Sequence, residues 1–307
     1  MGFLYLLEKI RVPVLNEFLL AITTLGEETA FLVVALIVFW CVDKRRGYYV
    51  LSVGFLGTIF NQFLKLLCRV PRPWVLDEKF TILEQAREGA SGYSFPSGHT
   101  QSAVGVFGSL AYTEKNKAFR WIFILVAVLV GFSRMYIGVH TPADVLVAAA
   151  TSVIFLLVLY PVTIRGEKSF HIFLAVMLVI SGAYLAYVEL FPFPEDIDLH
   201  NLQSGLKNAY TLLGCIVGMI LVYIIDSKWI HFSVKAPRWA QVVKVIGGLA
   251  VVLAVKEGLR APLDSLFAGH LVARSVRYFL IVMVAGSLWP MTFRFFPKCC
   301  KCSDKEE

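Results

Sequence analysis

The sequence predicts an all-α fold: a polytopic transmembrane helical bundle of about nine spans. Of its 307 residues, 58% are hydrophobic and 17% are charged, whereas soluble domains average about 45–50% apolar and about 25% charged residues. Mean hydropathy is +0.70. The apolar residues are gathered in runs close to the ~20 residues that a helix needs to cross the hydrocarbon core.

The chain begins with a segment that mixes apolar and charged residues. Residues 1–27 are interrupted by Pro13, and we expect an amphipathic helix that lies on the membrane rather than spanning it. Nine apolar runs follow, and we predict that each spans the membrane. They cover residues 28–43, 47–67, 97–113, 119–138, 142–163, 168–190, 207–225, 239–257 and 271–292.

We predict two parts within one membrane domain. Residues 1–165 form a core with the N-terminal helix and about five spans, and residues 166–307 form an extension of about four spans with a short tail. With nine spans, 16 of the 29 Lys and Arg residues fall on one side. Three of the 13 on the other side belong to the candidate site described below. Because positive residues favour the cytoplasm, we expect a cytoplasmic C-terminus and an outer or lumenal N-terminus.

The net charge of +7 does not indicate a nucleic-acid partner. Lysines and arginines in cytoplasmic loops and at anionic headgroups account for it. Cys299, Cys300 and Cys302 could be acylated or could bind a metal weakly. The partner that the composition predicts is the lipid bilayer, and no oligomeric state is indicated.

The segment Pro96-Ser97-Gly98-His99 opens one of the predicted spans. Ser97 suits an N-cap, and a helix N-terminus offers free N–H groups and a positive dipole end to an anion. Gly98 would let a ligand approach the backbone closely. The alternative is a plain helix cap, which leaves His99 unexplained.

A second polar segment lies between the next two spans. Ser133 and Arg134 close one apolar run, and His140-Thr141-Pro142-Ala143-Asp144 starts another. Thr141 is predicted as the N-cap, Pro142 as the first helical residue and Asp144 as the third, which resembles a capping box. Asp144 follows His140 by four residues, so its carboxylate could also accept a hydrogen bond from the imidazole.

Lys65 and Arg72 lie upstream, at the end of an apolar helix. Taken alone, they are typical of a snorkelling lysine and a basic loop end. Taken together with the two polar segments, they fall on one face of the membrane within reach of one pocket. Ionisable groups at such depth are costly and usually functional, so we predict a site for a phosphate monoester or diphosphate.

These residues resemble the three-part signature of the type 2 phosphatidic acid phosphatase family. The family includes integral-membrane lipid phosphatases and glucose-6-phosphatases. The resemblance covers residues 65–144 closely and the surrounding helices loosely. It rests on Lys65-x6-Arg72-Pro73, Pro96-Ser97-Gly98-His99 and Ser133-Arg134-x5-His140-x3-Asp144.

The resemblance implies a role for each residue. His140 would attack phosphorus and form a phosphohistidine, Asp144 would orient it, and His99 would protonate the leaving group and then activate water. The remaining members would bind the phosphate oxygens: Lys65, Arg72, Ser97, Gly98 and Arg134. Fixed cations would replace a metal ion, so we expect no metal and no cofactor.

The predicted substrate is a lipid phosphate or diphosphate that enters from the membrane. Trp74, Tyr93 and Phe95 beside the motifs suit the interface. Two alternatives stay open: the same chemistry on a soluble phosphate ester, as in glucose-6-phosphatases, and a transporter that retains the site. The 22-residue loop 74–95 is interpreted either as a gate or as a solvated connector. A second polar group is interpreted either as a headgroup site or transport-like vestibule, or as residues that pair internally, Lys256 or Arg260 with Glu257 and Asp264. Its members are Lys256, Glu257, Arg260, Arg274 and Arg277.

Overall fold

The structure is a computed structural model, and it describes residues 1–90 and 92–297. Every regular element in those residues is helical. The α-helices are α1 Gly2–Lys9, α2 Pro13–Thr23, α3 Glu28–Ile37, α4 Lys44–Cys68, α5 Pro73–Leu76, α6 Gly98–Ala103, α7 Ser109–Thr113, α8 Lys117–Tyr136, α9 Pro142–Tyr160, α10 Glu167–Leu190, α11 Leu199–Ile225, α12 Arg238–Gly258, α13 Arg260–Leu266, α14 Val272–Met283 and α15 Trp289–Met291. Short 3-10 or π turns extend several of them.

Polar side chains start the long helices. The side chains of Asp43, Asn116 and Asp198 accept backbone N–H groups at the starts of α4, α8 and α11. Each satisfies N–H groups that have no partner within the helix. The predicted capping box at Thr141 is confirmed, with Pro142 in the first turn of α9. The chain therefore turns at these points and reverses through the bundle.

A helical segment occupies each of the nine predicted spans. By length and composition, however, only six or seven segments of the described chain are long and apolar enough to cross a membrane. The segments that begin at Lys44, Lys117, Pro142, Lys168, Leu199 and Val272 meet that test alone. A bent pair, Pro13–Gly26 and Glu28–Val42, makes the seventh. The segment 98–113 and α12 do not meet it, so nine spans stay a prediction.

The N-terminal region differs from the single amphipathic helix that we predicted. Residues 1–27 form two helices, α1 and α2, and Pro13 begins α2 because its fixed φ suits the first helical turn. The segment Pro13–Gly26 meets Glu28–Val42 at 59°. The bent pair is therefore either a broken membrane span or a re-entrant loop.

The extension packs against the core over a shared apolar cluster. This cluster includes buried residues of α3, α4, α9, α10 and α11. The indole N–H of Trp40 donates to the Ala285 carbonyl at 2.8 Å, and Lys44 Nζ lies 2.6 Å from an Asp226 oxygen. Both contacts join residues of the core to residues of the extension.

Glycines let α11 and α14 approach each other closely. A Cβ at Gly214 would collide with the backbone of Ser275, and one at Gly218 would lie 2.9 Å from the Cβ of Val282. Small residues at a helix contact are typical of membrane bundles, where van der Waals packing holds helices together. The wall that α11 and α14 form therefore depends on these two glycines.

The second polar group of the extension contains one of the ion pairs that internal pairing predicts. Lys256 Nζ lies 3.8 Å from a Glu257 oxygen, and Arg274 Nε donates to Thr211 Oγ1 at 3.4 Å. The cysteine cluster at 299–302 lies outside the described residues.

Candidate active site

The predicted site residues meet at one end of the bundle. Lys65 is in the last turn of α4, and Arg72 precedes α5. The N-terminus of α6 carries Ser97, Gly98 and His99, and Arg134 is in the last turn of α8. His140 and Asp144 bracket the start of α9. Six of these eight residues are buried: Lys65, Arg72, Ser97, Arg134, His140 and Asp144.

The His140 ring is held from both of its nitrogens. Arg72 Nη1 lies 3.0 Å from Nε2, and an Asp144 oxygen lies 3.5 Å from Nδ1. A guanidinium can only donate, so Nε2 accepts and the proton belongs on Nδ1, facing Asp144. This tautomer leaves the lone pair of Nε2 directed into the group of cations.

The surroundings of His140 favour its neutral form. The side chain is 2% exposed, and burial lowers the pKa of the imidazole well below its ordinary value of 6.5. The nearby cations Arg72, Arg134 and Lys65 lower this pKa further. The ring is therefore an unprotonated nitrogen base at neutral pH.

Asp144 joins three segments of the site. One carboxylate oxygen accepts the Thr141 N–H at 2.7 Å and the Ser94 hydroxyl at 2.5 Å. The Asp144 carbonyl accepts the Ser97 N–H at 3.1 Å. The starts of α6 and α9 are thus tied to each other through this one residue.

Ser94 is a site residue that the sequence reasoning missed. Its hydroxyl lies between the two groups, 3.4 Å from His140 Nδ1 and 2.5 Å from the Asp144 oxygen. The side chain is fully buried. No spacing rule identifies a single serine in the segment before Pro96, so only the folded chain shows this contact.

The three cations are positioned mainly by backbone carbonyls. Lys65 Nζ donates to the Tyr93 carbonyl at 2.8 Å, so the lysine does not snorkel. Arg72 donates to the Gly92 carbonyl at 2.9 Å and to the Val139 carbonyl at 3.0 Å. Carbonyls fix the positions of these side chains without cancelling their charge.

Arg134 is the most deeply buried of the three cations. Its Nη1 donates to Thr23 Oγ1 at 2.8 Å, and its Nε is buried without a hydrogen-bond partner in the described part of the chain. The Arg134 carbonyl accepts the N–H groups of Val139 and His140, both at 3.2 Å. Within residues 1–90 and 92–297, neither Lys65 nor Arg134 forms an ion pair. Buried cations without such a partner favour an anionic ligand.

The loop 74–95 is not a solvated connector. Phe80, Ile82 and Ala90 are buried, and Leu83 N–H donates to the Ile137 carbonyl at 3.1 Å. The last part of this loop supplies the carbonyls of Gly92 and Tyr93 that hold the cations. The loop is therefore a structural part of the site.

The N-cap predicted at Ser97 is confirmed, since its Oγ accepts from the N–H of Thr100. Gly98 has no packing reason to be a glycine, because a Cβ there would approach no atom of another segment closer than 3.8 Å. Asn61 is the nearest neighbour, and its Oδ1 is buried without a partner among the described residues.

A cavity of about 260 Å³ opens on the His99 side of the site. Gly98, His99 and Asn61 line it, together with Glu27 and Glu28. The cations and His140 do not line it, so the His140 ring is closed off from this cavity. Among the residues described, no three His, Cys, Asp or Glu side chains are grouped in a way that could hold a metal ion.

Comparison with known proteins gives two family matches and several relatives. The model of the PAP2 superfamily matches residues 45–166, and the model "PAP2 superfamily phosphatase, transmembrane extension" matches residues 210–300. The undecaprenyl-diphosphatase BcrC of Bacillus subtilis is 30% identical over 112 residues, which are 36% of this chain and 55% of that protein. The chain thus spans about half the length of this relative.

Two further relatives and one solved structure match a larger share of this chain than BcrC does. Phosphatidylglycerophosphatase B of B. subtilis is 34% identical over 150 residues, 45% of this chain and 70% of that protein. A probable sphingosine-1-phosphate phosphatase of Dictyostelium discoideum is 30% identical over 234 residues, 71% of this chain and 54% of that protein. The crystal structure of Aquifex aeolicus LpxE has 28% identity and a TM-score of 0.46, covering 51% of this chain and 92% of that one.

The family matches and the relatives agree with the motif positions in the chain. The first family match contains all eight predicted site residues, from Lys65 to Asp144, and the second lies within the predicted extension. On these findings the chain belongs to the PAP2 superfamily.

Proposed function

We propose that the protein is an integral-membrane phosphatase that hydrolyses a lipid phosphate or lipid diphosphate through a phosphohistidine on His140. The observation that carries the proposal is the His140 ring: its Nε2 lone pair faces Arg72 across 3.0 Å, and its Nδ1 faces Asp144. A buried neutral imidazole with a carboxylate behind it is an activated nucleophile.

The first step forms a bond from His140 Nε2 to phosphorus and breaks the bond from phosphorus to the leaving oxygen. Asp144 stabilises the positive charge that develops on the ring. With the anionic phosphate bound to the three cations, protonated His99 gives its proton to the leaving alkoxide, or to the leaving phosphate of a diphosphate. The cations Lys65, Arg72 and Arg134 neutralise the other phosphate oxygens, and charge stabilisation of this type is usually the largest contribution to catalysis.

The second step returns the enzyme to its starting state. Neutral His99 takes a proton from a water molecule, whose oxygen attacks phosphorus and displaces Nε2. Inorganic phosphate leaves, and the lone pair returns to His140. Because the scheme uses fixed cations for the charge, it requires neither a metal nor a cofactor.

Substrate access requires a rearrangement around Arg72. The guanidinium now occupies the position next to Nε2, and the cavity reaches His99 but not His140. A phosphate that enters beside Gly98 would take over hydrogen bonds of Arg72, with Ser97 and the Gly98 N–H as further donors. The absence of any packing reason for Gly98 fits this close approach.

The relatives support lipid phosphates as the substrate class. Their names refer to undecaprenyl diphosphate, phosphatidylglycerophosphate and sphingosine 1-phosphate, all of which are lipids that carry a phosphate or diphosphate. We place the site on the outer or lumenal face, as the Lys and Arg distribution predicts, and the C-terminus in the cytoplasm.

Phosphate release by the purified protein in mixed micelles tests the proposal. The panel is phosphatidate, phosphatidylglycerol phosphate, undecaprenyl diphosphate, sphingosine phosphate and glucose 6-phosphate. The variants are His140→Ala and His99→Ala, with the exposed His171→Ala on α10 as the matched control. We expect hydrolysis of at least one lipid by the wild type and by the control, and none by the two site variants.

The other outcomes contradict the proposal in different ways. Turnover of glucose 6-phosphate alone would refute the lipid substrate. Equal inactivity of wild type and variants on all five compounds would refute hydrolysis and favour binding or transport.

A further inference from the structure

A second, larger cavity lies between the core and the extension, and its volume is about 330 Å³. Its walls come from α3 and α4 of the core and from α11, α12 and α14 of the extension. We call it the apolar groove. It shares three lining residues with the cavity beside His99: Glu28, Phe31 and Thr58. The two cavities are therefore neighbours with these side chains as a common wall.

Two polar lining residues of the groove, Glu28 and Thr58, also line the His99 cavity. Glu28, Thr58, Asn208, Thr211 and Lys256 are polar members of its lining. Glu28 is in the first turn of α3, and Lys256 is in the last turn of α12. Glu28 and Thr58 therefore place polar groups at the boundary between the groove and the His99 cavity.

The opposite end of the groove is apolar. Leu36, Val222 and Leu249 line it, and each lies further from the site along its own helix than Glu28, Thr211 and Lys256 respectively. On α4, Thr58 is at the junction and Tyr48 is ten residues deeper. At 1.5 Å per residue this is a depth of about 15 Å, about half of the ~30 Å hydrocarbon core.

We propose that the apolar groove holds one hydrocarbon chain of the lipid phosphate whose headgroup occupies the catalytic site. The inference rests on the proposed function and adds a role for the extension, which supplies three of the five walls. A polar mouth, an apolar interior and a depth of one leaflet match a single lipid chain. Because Phe31 and Thr58 line both cavities, the headgroup end of that chain would lie next to the cavity beside His99.

Chain-length selectivity tests the groove. The substrates are single-chain alkyl phosphates of 6 to 18 carbons in mixed micelles at a fixed surface concentration. Leu249→Trp would fill the groove about 10 Å below Lys256, since seven residues separate the two on α12. Val179→Trp is the matched control, because Val179 is 70% exposed on α10 and does not line the groove.

We expect Leu249→Trp to lower kcat/KM for the 16-carbon substrate at least tenfold more than for the 6-carbon substrate. The control should keep the wild-type ratio. If a folded Leu249→Trp variant kept the ratio of kcat/KM for the 16-carbon and 6-carbon substrates within twofold of the wild type, the proposed role of the groove would be overturned. The proposed phosphatase reaction would be unaffected by that result. Inactivity of the wild type on every chain length would instead count against the proposed function.

A second measurement uses the wild-type protein and does not depend on turnover or on a variant that folds. The probe is a non-hydrolysable 16-carbon alkyl phosphonate with a photoreactive diazirine at the chain end. We expect crosslinks in α11, α12 or α14, and we expect excess 16-carbon alkyl phosphate, but not the neutral 16-carbon alcohol, to remove them. Crosslinks only on exposed faces of α8 or α10, or equal competition by the alcohol, would show that the probe contacts the protein as an ordinary bilayer lipid does. Either result would overturn the proposal.

Discussion

Arg72 Nη1 lies 3.0 Å from His140 Nε2, and the same nitrogen donates to the Val139 carbonyl at 3.0 Å. The arginine therefore holds both the ring and the backbone of the turn before it. It also determines which ring nitrogen keeps its lone pair, because a guanidinium has no acceptor. One side chain thus sets the tautomer of the proposed nucleophile and contributes charge to the phosphate site.

Substitution of Arg72 tests this double role. We expect Arg72→Ala to lower kcat by about 100-fold to 1,000-fold, the usual cost of removing one transition-state donor. Arg72→Lys should restore little, because an ammonium cannot reproduce the planar set of donors. The measurement is steady-state phosphate release from the preferred lipid, with the exposed Arg120→Ala as control. Activity of Arg72→Ala within threefold of wild type would contradict the assignment.

Ser94 is predicted to position Asp144 and His140 rather than to react. We expect Ser94→Ala to lower kcat about tenfold with little change in KM, because the ring loses a neighbour at 3.4 Å and the carboxylate loses a donor at 2.5 Å. Ser94→Thr keeps the hydroxyl and should recover most of the rate. If Ser94→Thr were as slow as Ser94→Ala in a protein of wild-type stability, the positioning role would be refuted.

The lowered pKa of His140 predicts a pH dependence of stability. The folded pKa lies below the unfolded value of about 6.5, so the unfolded state binds a proton first as the pH falls. The destabilisation by His140 therefore grows as the pH falls from about 6.5 to its lowered pKa, remains constant below that pKa, and is absent well above pH 6.5. We expect the Tm of wild type to fall more between pH 7.5 and pH 5 than the Tm of His140→Gln.

Thermal unfolding in detergent at the two pH values measures this difference. His171→Ala serves as the control for removal of an exposed histidine, and its Tm should follow the wild type. Parallel losses in wild type and His140→Gln would show that the ring is readily protonated in the folded protein.

Activity in excess chelator tests the proposal of metal independence. We expect phosphate release in EDTA to equal that in buffer alone, because Lys65, Arg72 and Arg134 would supply the positive charge that other phosphatases obtain from metal ions. Loss of turnover in chelator that a divalent cation restores would contradict this mechanism.

The contact between Trp40 and Ala285 predicts how the extension is attached. Trp40→Phe removes the indole N–H and leaves the Ala285 carbonyl without its 2.8 Å donor. A buried acceptor without a partner costs about 1–3 kcal/mol, so we expect a lower Tm. Trp121→Phe is the matched control, because Trp121 is 67% exposed. Equal Tm values for the two variants would show that this contact does not stabilise the interface.

Several properties of this protein could be read from local patterns. Long apolar runs predicted the helices, since a run of this length can satisfy its backbone in a membrane only as a helix. The caps at Ser97 and Thr141 were predicted because capping depends on residues within one turn. The spacing from Lys65 to Asp144 predicted the superfamily to which the chain belongs.

Other properties depended on contacts between distant segments. Ser94 meets Asp144 across 50 positions, Arg134 meets Thr23 across 111, and the groove joins helices from both halves of the chain. The bend between Pro13–Gly26 and Glu28–Val42 likewise replaced the single surface helix that we expected. Sequence alone determined the helices, their caps and the motif residues, because these follow from hydrophobic runs and short-range hydrogen bonds. Tertiary structure decided the partners of each polar group and the shape of each cavity, because both depend on how helices from different parts of the chain pack together.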